Sequence, residues 1–299
     1  MTVQPLQRSQ RQLWLAAIKP PMYSVAVIPV WLGTAIAKWE TGAVSWLAFT
    51  EFLLAGICIV AWNNISNDVF DADTGIDKNK HHSLVNLTQN QTLVYWIGNG
   101  FLLAGLGLIL AIAWQQQDPT VLALTLTACA LGYVYQGPPF RLGYRGLGEL
   151  LCFIAYGPVT LSAVYYSQAQ AFSQVNLLAS LVLGLITSLI LFCSHFHQVE
   201  DDLKAGKRSP IVRLGTATGA NLLPWICGMI FGLLLLYVVL GLFPTWSLLG
   251  FCGLPYAVKL CRFIRTHHNQ PERVKNCKFI AVALHFTFGS LLGLGFMVA

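Results

Sequence analysis

The sequence has few charged side chains. Asp, Glu, Lys and Arg make up 10% of its 299 residues, against about 25% in an average soluble domain, while hydrophobic residues reach 56%. This composition has too few charged side chains to form the surface of an ordinary water-soluble protein. The sequence therefore excludes a soluble globular enzyme, a disordered protein and a nucleic-acid-binding protein, although its formal net charge is +6. It indicates an integral membrane protein.

Two further patterns are missing from the sequence. Its apolar stretches are continuous and do not alternate with polar residues, which argues against a β-barrel, the other structure that can span a bilayer. None of the eight cysteines belongs to a C-x-x-C motif, and most lie inside apolar stretches. We therefore expect buried thiols, and neither a disulfide framework nor a thiolate metal site.

Long stretches without Asp, Glu, Lys or Arg predict the membrane spans. A helix needs about 20 mostly apolar residues to cross a bilayer, and two of these stretches are long enough for two helices each. The motifs Gly228-x-x-x-Gly232 and Gly289-x-x-x-Gly293 predict close helix contacts. The sequence thus predicts an all-α membrane-embedded domain over residues 1–299 with nine transmembrane helices, near residues 21–38, 45–66, 92–114, 119–136, 147–166, 176–197, 219–241, 245–264 and 278–298.

The basic residues test this count, because loops rich in Lys and Arg stay on the cytoplasmic side of a membrane. With nine helices, the N-terminal tail and four loops on the same side hold every Lys and Arg except Lys38. We expect the N-terminus and these loops to be cytoplasmic. The predicted location is a bacterial-type plasma membrane or a thylakoid membrane. We expect the protein to contact the lipid bilayer and not to bind nucleic acid.

Acidic residues gather at the cytoplasmic ends of two predicted helices. The first group, Asp68, Asp71, Asp73 and Asp77, follows the second helix. If that helix continues for one or two turns, Asn67 and Asp71 share one of its faces. Carboxylates at the membrane end of a helix are costly unless they are paired or bind metal, so they are candidates for function.

The second acidic group follows the sixth predicted helix and contains Glu200, Asp201 and Asp202. In a helical conformation His195, Gln198 and Asp202 fall on one face. Oxygen ligands from two helix ends suit Mg²⁺, which is usually held by one or two carboxylates together with substrate phosphates. The two groups therefore predict a site for Mg²⁺ and a diphosphate.

The residue types assign parts of this site. Cationic side chains would bind the phosphate oxygens that the metal leaves exposed; the candidates are Arg141, Arg145, Lys207 and Arg208. A calcium-binding EF-hand is not expected, because Ile76 and His82 stand where that loop requires Gly and Glu.

These motifs resemble a known family. Asn67-x-x-x-Asp71 and Gln198-x-x-x-Asp202 resemble the two aspartate motifs of the UbiA superfamily of membrane prenyltransferases, except that the second motif normally begins with Asp. Segments 135–149 and 195–215 resemble its naphthoate-prenylating branch. The resemblance covers nearly the whole chain and implies a nine-helix bundle. It also implies Mg²⁺-dependent transfer of a phytyl group from phytyl diphosphate to 1,4-dihydroxy-2-naphthoate, with loss of CO₂, giving demethylphylloquinone for phylloquinone synthesis.

The resemblance also suggests roles for side chains. It implies that the catalytic residues include Asn67, Asp71, Gln198 and Asp202, and it leaves open whether Gln198 binds metal or orients a water. The Mg²⁺ ligands that it implies are Asn67, Asp71 and Asp202, with Asp68 or Asp77 as a further ligand. His195 could assist deprotonation of a ring hydroxyl or could orient its neighbours. Aromatic faces would stabilise the allylic cation formed by ionisation while water is excluded; the candidates are Tyr135, Phe140 and Tyr144.

Two alternatives remain open at this stage. Another member of the superfamily would use a different prenyl chain or a different acceptor, as in the menaquinone, chlorophyll or tocopherol pathways. A divalent-cation transporter is the alternative from another class of protein. Transport would need ionisable residues deeper in the membrane on both sides of a central site, whereas the acidic groups here lie at one face.

Overall fold

The computed structural model describes residues 10–76 and 83–299, and all regular secondary structure in this part of the chain is helical. Within these described residues, nine long helices form a bundle, with shorter helices at their ends. The long helices are α1 (Ser24–Thr41), α2 (Trp46–Thr74), α3 (Gln91–Gln116), α4 (Thr120–Gln136), α5 (Gly148–Ala169), α6 (Gln174–Ser194), α7 (Thr216–Val239), α8 (Thr245–His267) and α9 (Cys277–Val298).

The length and composition of these helices are those of membrane spans. In the described residues, eight helical segments are long and apolar enough to cross a bilayer. The remaining long helix, α4, has 17 residues, which is the lower end of the usual range for a span. The prediction of an all-α, multi-pass membrane protein is confirmed. The crossing of all nine helices and the cytoplasmic position of the N-terminus stay predictions.

Side-chain caps and glycines fix where several helices begin and end. The side chains of Ser45, Asn90 and Ser173 cap α2, α3 and α6 by accepting a hydrogen bond from a backbone N–H in the first turn. Gly75 ends α2 with a φ of 73°, a left-handed conformation that glycine adopts without a steric penalty. As a result α2 runs eight residues beyond its predicted end, 66, and includes the first acidic motif.

Helix α9 occupies a central position and packs against α1, α6 and α8. Gly289 and Gly293 lie so close to Ile28 and Trp31 of α1 that a Cβ atom at either glycine would collide with them. Trp31 Nε1 also donates a hydrogen bond to the Ser290 carbonyl at 3.0 Å. The glycines of this motif therefore allow the close contact that the sequence predicts.

The other glycine motif behaves differently. Gly228 and Gly232 lie on an exposed face of α7, and within the described part of the chain no atom comes within 4 Å of a Cβ built at either position. The prediction of a close contact at this motif is wrong for the described bundle. The spacing is present, but no helix in the described part of the chain packs against this face of α7 at the two glycines.

The two acidic motifs lie at the same end of the bundle. Helix α2 ends at Thr74, and α6 ends at Ser194 and continues through a 3₁₀ turn, His195–His197, into the short helix Val199–Lys204. A further short helix, Pro271–Val274, precedes α9 and packs against that 3₁₀ turn. At the opposite end, Lys38 donates a hydrogen bond to the Met297 carbonyl at 2.6 Å, so this isolated cation neutralises the C-terminus of α9.

Candidate active site

A cavity of about 420 Å³ opens at the end of the bundle that carries the acidic motifs. Asn67 and Asp71 of the first motif line it, and so do Gln198 and Asp202 of the second. The structure thus brings together side chains that are separated by more than 120 positions in the sequence. Their meeting in one cavity is the geometric requirement of the predicted metal–diphosphate site.

Helix α2 supplies one wall of this cavity. Because the helix continues through the motif to Thr74, Asn67 and Asp71 are one turn apart on the same face. Asn63 and Asn64, one turn earlier, also line the cavity. The wall therefore presents amide and carboxylate oxygens to the same space.

Residues from outside the two motifs hold the Asp71 side chain. Gln136, which is buried at the end of α4, donates a hydrogen bond to Asp71 Oδ1 through its Nε2. The Tyr144 hydroxyl lies 3.2 Å from the same oxygen and 2.8 Å from Thr74 Oγ1. Burial raises the pKa of Tyr144, and the negative charge of Asp71 raises it further, so the hydroxyl stays protonated and can donate.

Replacing Tyr144 by Phe should remove a donor to Asp71 and leave the ring in place. We expect kcat/KM to fall about five- to tenfold, because a hydrogen bond to a charged group contributes about 1.5 kcal/mol or less when other donors remain. Tyr95→Phe is the matched control, since Tyr95 is exposed near the start of α3 and lies outside the cavity. Steady-state kinetics of both variants measure the effect. An equal kcat/KM for the two variants would contradict a role of the Tyr144–Asp71 hydrogen bond in the reaction.

Asp202 forms the opposite wall and is completely buried. Its Oδ2 lies 3.2 Å from His195 Nδ1, and its Oδ1 lies 3.6 Å from Lys207 Nζ. Burial alone would raise the pKa of Asp202, but the hydrogen bond to His195 and the charge of Lys207 outweigh burial and hold that pKa below its usual value. The carboxylate is therefore ionised at neutral pH.

His195 lies between two carboxylates. Its Nε2 is 3.4 Å from Glu149 Oε1 at the start of α5, and its Nδ1 faces Asp202. Both ring nitrogens are thus engaged by acidic groups. This arrangement suits a residue that orients Asp202, which is one of the two roles that the sequence left open for His195.

Asp68, a predicted metal ligand, also lines the cavity. Its Oδ1 lies 3.3 Å from Lys19 Nζ, and its Oδ2 accepts a hydrogen bond from the Leu84 backbone N–H at 3.0 Å. Each oxygen of this buried carboxylate therefore has a protein partner, and Asp68 connects α2 to the chain on both sides of it. Asp77, another predicted metal ligand, lies outside the described residues.

Among the described residues, every Lys or Arg that lines the cavity is a lysine. Among the predicted phosphate-binding residues, Lys207 lines it, whereas Arg141, Arg145 and Arg208 do not. The carbonyls of Arg145 and Arg208 instead accept hydrogen bonds from the Arg213 guanidinium. The additional cations at the cavity, which the sequence did not single out, are Lys19, Lys275 and Lys278.

The predicted aromatic residues also separate into two groups. Tyr135 lines the cavity, and Tyr144 reaches Asp71 from outside its lining. Phe140 is 50% exposed and lies away from the cavity. Tyr156, which the sequence did not indicate, lines it as well, and its hydroxyl lies 3.5 Å from Asn63 Nδ2.

The donor set of the cavity fits Mg²⁺. Within residues 10–76 and 83–299, no group of three His, Cys, Asp or Glu side chains is arranged to hold a metal without other ligands. The cavity adds amide oxygens from Asn67 and Gln198 to the carboxylates of Asp71 and Asp202. Asp202 Oδ1 is shielded from solvent and has no hydrogen-bond partner among the described residues. Mg²⁺ prefers few carboxylates and completes its shell with water and substrate phosphates, so this arrangement suits it.

Known proteins resemble this chain in sequence. Residues 26–286 match the UbiA prenyltransferase family. The chain is 54% identical over 286 residues to the 2-carboxy-1,4-naphthoquinone phytyltransferase of Synechocystis sp., covering 96% of this chain and 93% of that protein. It is 39% identical over 291 residues to the chloroplastic 2-carboxy-1,4-naphthoquinone phytyltransferase of Arabidopsis thaliana, covering 95% of this chain and 76% of the relative.

A solved structure supports the fold. The structure of a UbiA homolog from Archaeoglobus fulgidus bound to GPP and Mg²⁺ superposes with a TM-score of 0.61 and covers 96% of this chain and 100% of that one. The sequence identity is 16%, so this similarity concerns the helical architecture.

Proposed function

Because the chain belongs to the UbiA prenyltransferase family, we propose that it transfers a phytyl group from phytyl diphosphate to 1,4-dihydroxy-2-naphthoate. The ring carbon that bears the carboxylate forms the new bond to the phytyl chain as diphosphate leaves, and CO₂ is then lost. The direct product is the quinol of demethylphylloquinone, which dioxygen oxidises to the quinone. The naphthoquinone named for the two relatives is the oxidised form of the same acceptor. The observation that carries the proposal is that Asp71 and Asp202 line one cavity together with cationic side chains.

The diphosphate binds between the two acidic walls. Asn67, Asp71, Gln198 and Asp202 would hold Mg²⁺, which supplies charge neutralisation and so makes the diphosphate a better leaving group. Lys207 is positioned by Asp202 at the cavity and binds a phosphate oxygen there. His195 and Gln136 hold Asp202 and Asp71 in orientation. The catalytic groups are therefore kept in place before the substrate arrives.

The deeper part of the cavity is apolar and suits the prenyl chain. Val25, Val60 and Ala155 line the main cavity and also a second, smaller cavity farther into the bundle. The rings of Tyr135 and Tyr156 lie in the main cavity, where an aromatic face stabilises an allylic cation. Apolar walls also exclude water, which would otherwise capture this cation.

The location of the site is part of the proposal. We place the cavity on the cytoplasmic side, because the loops at this end hold nearly all the basic residues of the chain. A plasma or thylakoid membrane is the proposed location, with the whole chain forming one membrane-embedded domain. The acidic groups at one end of the bundle favour an enzyme that works at the membrane surface over a transporter.

Reconstitution of the purified protein tests the reaction. With phytyl diphosphate, 1,4-dihydroxy-2-naphthoate and Mg²⁺, we expect demethylphylloquinone, together with one CO₂ for each prenyl group transferred. EDTA should abolish turnover, and added Mg²⁺ should restore it. Product analysis by chromatography and mass spectrometry measures both results. Prenylation of homogentisate, a hydroxybenzoate or a chlorophyllide in place of the naphthoate would overturn the proposed acceptor.

A further inference from the structure

One face of α2 lines both cavities of the bundle without interruption. Its residues recur every three or four positions, as the helical repeat requires, and from the acidic motif inward they include Asp71, Asn67, Asn63, Val60, Gly56 and Phe52. Val60 and Asn63 belong to the lining of both cavities. The two cavities are therefore successive parts of one passage, which runs along α2 away from the acidic motif.

The length of this passage matches that of a phytyl chain. Phe52 and Asp71 are 19 positions apart on one helix, a distance of about 28 Å at a rise of about 1.5 Å per residue. An extended phytyl chain is about 19 Å long, because each C–C bond of about 1.5 Å advances the chain by about 1.25 Å. The difference leaves room for the diphosphate group between Asp71 and the first carbon of the chain.

Phe52 lies at the far end of the passage along α2. Its side chain is buried and lines the smaller cavity, which has a volume of about 60 Å³. The same side chain belongs to a cluster of buried apolar residues that includes Val30, Ile109 and Ala163. A prenyl chain that reaches Phe52 therefore meets a closely packed layer of the bundle, and further carbons would have to displace the ring.

Gly56 widens the passage one turn before Phe52. Outside the backbone of α2, the nearest described atoms to a Cβ built at Gly56 belong to Ala26 and Val30 of α1, at 3.7 Å or more. These are ordinary contacts, so the packing of α1 against α2 does not require a glycine, and glycine is a poorer helix former than alanine. The missing side chain instead leaves space inside the cavity for a ligand.

We propose that Phe52 sets the length of the prenyl chain that the protein transfers, and that Gly56 makes room for the last isoprene unit of that chain. The inference rests on the proposed function and adds the length of the donor to it. Gly56 is four residues nearer to Asp71 than Phe52 is, a distance of about 6 Å along the helix. An isoprene unit extends a chain by about 5 Å, so a side chain at position 56 would exclude about one unit.

Competition between prenyl donors of different length tests this role. The full-length protein in lipid nanodiscs receives Mg²⁺, the naphthoate acceptor and two donors at equal concentration, and mass spectrometry measures the ratio of the products. Geranylgeranyl diphosphate has the length of phytyl diphosphate, and geranylfarnesyl diphosphate is longer by one isoprene unit. We expect the wild type to have a kcat/KM at least about tenfold lower for the longer donor. Phe52→Ala should bring the two values to within about threefold of each other.

Phe49→Ala is the matched control for Phe52→Ala. It removes the same ring from α2 at a position that packs against the same apolar cluster but lines neither cavity. We expect this variant to keep the donor ratio of the wild type. The same change of ratio in Phe49→Ala and Phe52→Ala would assign the effect to general loosening of the bundle and would overturn the proposal.

Gly56→Leu provides the converse measurement, and it decides the question even if Phe52→Ala does not fold. It should shift the ratio of farnesyl diphosphate, which is shorter by one isoprene unit, to geranylgeranyl diphosphate by at least about tenfold in favour of the shorter donor. An unchanged ratio in this variant or in folded Phe52→Ala would overturn the role of Phe52. Equal use of geranylgeranyl and geranylfarnesyl diphosphate by the wild type would do the same, because the chain would then not stop at Phe52.

The two proposals fail in different ways. If the wild-type protein prenylates a different acceptor, the proposed function fails, while the donor ratio measured with that acceptor still decides whether Phe52 limits the chain. If the naphthoate is prenylated with no discrimination by donor length, the proposed acceptor stands and the role of Phe52 fails.

Discussion

Asp202→Asn is expected to lower kcat by about 10³-fold, equivalent to about 4 kcal/mol of transition-state stabilisation. The substitution keeps the size of a fully buried side chain but removes its charge. The charge of Asp202 is proposed to hold Mg²⁺, and it also balances Lys207 at 3.6 Å. Because negative charge develops on the departing diphosphate, loss of the metal's position affects the transition state more than the bound substrate.

Glu200→Gln is the matched control for this variant. Glu200 lies on the same short helix as Asp202 and loses the same charge, but its side chain is 82% exposed and its ion pair with Lys204 spans 3.8 Å. We expect its kcat to stay within about twofold of the wild type, because an exposed ion pair contributes about 1 kcal/mol or less. Initial rates at saturating substrate, over a range of Mg²⁺ concentrations, measure both variants.

The result also distinguishes a metal ligand from a structural residue. If Asp202 holds Mg²⁺, the variant should need a higher Mg²⁺ concentration for its remaining activity, while its thermal unfolding temperature stays near that of the wild type. Retention of more than a tenth of wild-type kcat at saturating Mg²⁺ would remove Asp202 from the proposed site. A large fall in unfolding temperature with an unchanged Mg²⁺ dependence would assign it a structural role.

The sequence predicts the helices and the acidic motifs well, because both depend on local patterns. An apolar stretch of about 20 residues has few alternatives to a membrane-spanning helix, and α3 accordingly covers Gln91–Gln116 where 92–114 is predicted. The shared face of Asn67 and Asp71 likewise follows from the helical repeat. Membership of the UbiA family, predicted from these motifs, is confirmed.

The sequence predicts the rest of the site less well, because it depends on which helix ends meet. Lys19, Gln136 and Lys275 reach the cavity from three distant parts of the chain, and none of them lies in a pattern that points to the acidic motifs. Arg141 and Arg145, near the Pro138–Pro139 segment, carry the positive charge expected of phosphate-binding residues, but neither of them lines the cavity. Proximity in a bundle is a tertiary property, and a single sequence contains no direct signal for it.

Contacts between helices are equally hard to predict from the sequence. Gly228 and Gly289 each begin a G-x-x-x-G motif, yet only Gly289 lies against another helix in the described bundle. The spacing permits a close approach but does not decide which face of the helix is covered. Gly157 and Gly184 lie at the close contact between α5 and α6 but belong to no such motif.

Gly157→Val is expected to destabilise the bundle by about 3 kcal/mol or more, at the upper end of the usual cost of overpacking. A Cβ atom at Gly157 would lie 2.6 Å from the Ser180 carbonyl oxygen and 2.9 Å from the Gly184 Cα. Both are backbone atoms of α6, so the contact cannot be relieved by a side-chain rotation. The helices would have to separate, and α5 would then move Glu149 away from His195, which now lies 3.4 Å from it.

Gly228→Val is the matched control, because it introduces the same side chain at an exposed position of α7. Among the described residues, no atom beyond the neighbouring backbone of α7 lies within 4 Å of a Cβ built there. Thermal unfolding in detergent and the yield of monodisperse protein measure both variants. We expect Gly157→Val to unfold several degrees below Gly228→Val, and Gly157→Ala to lie between them because its single methyl group demands less separation. The folded fraction of the Gly157→Val variant should also have a lower kcat than the wild type, because the crossing of α5 and α6 sets the distance between Glu149 and His195. Equal unfolding temperatures for the two valine variants would mean that α5 and α6 do not cross closely at Gly157, and the position of His195 against Glu149 would then need another explanation.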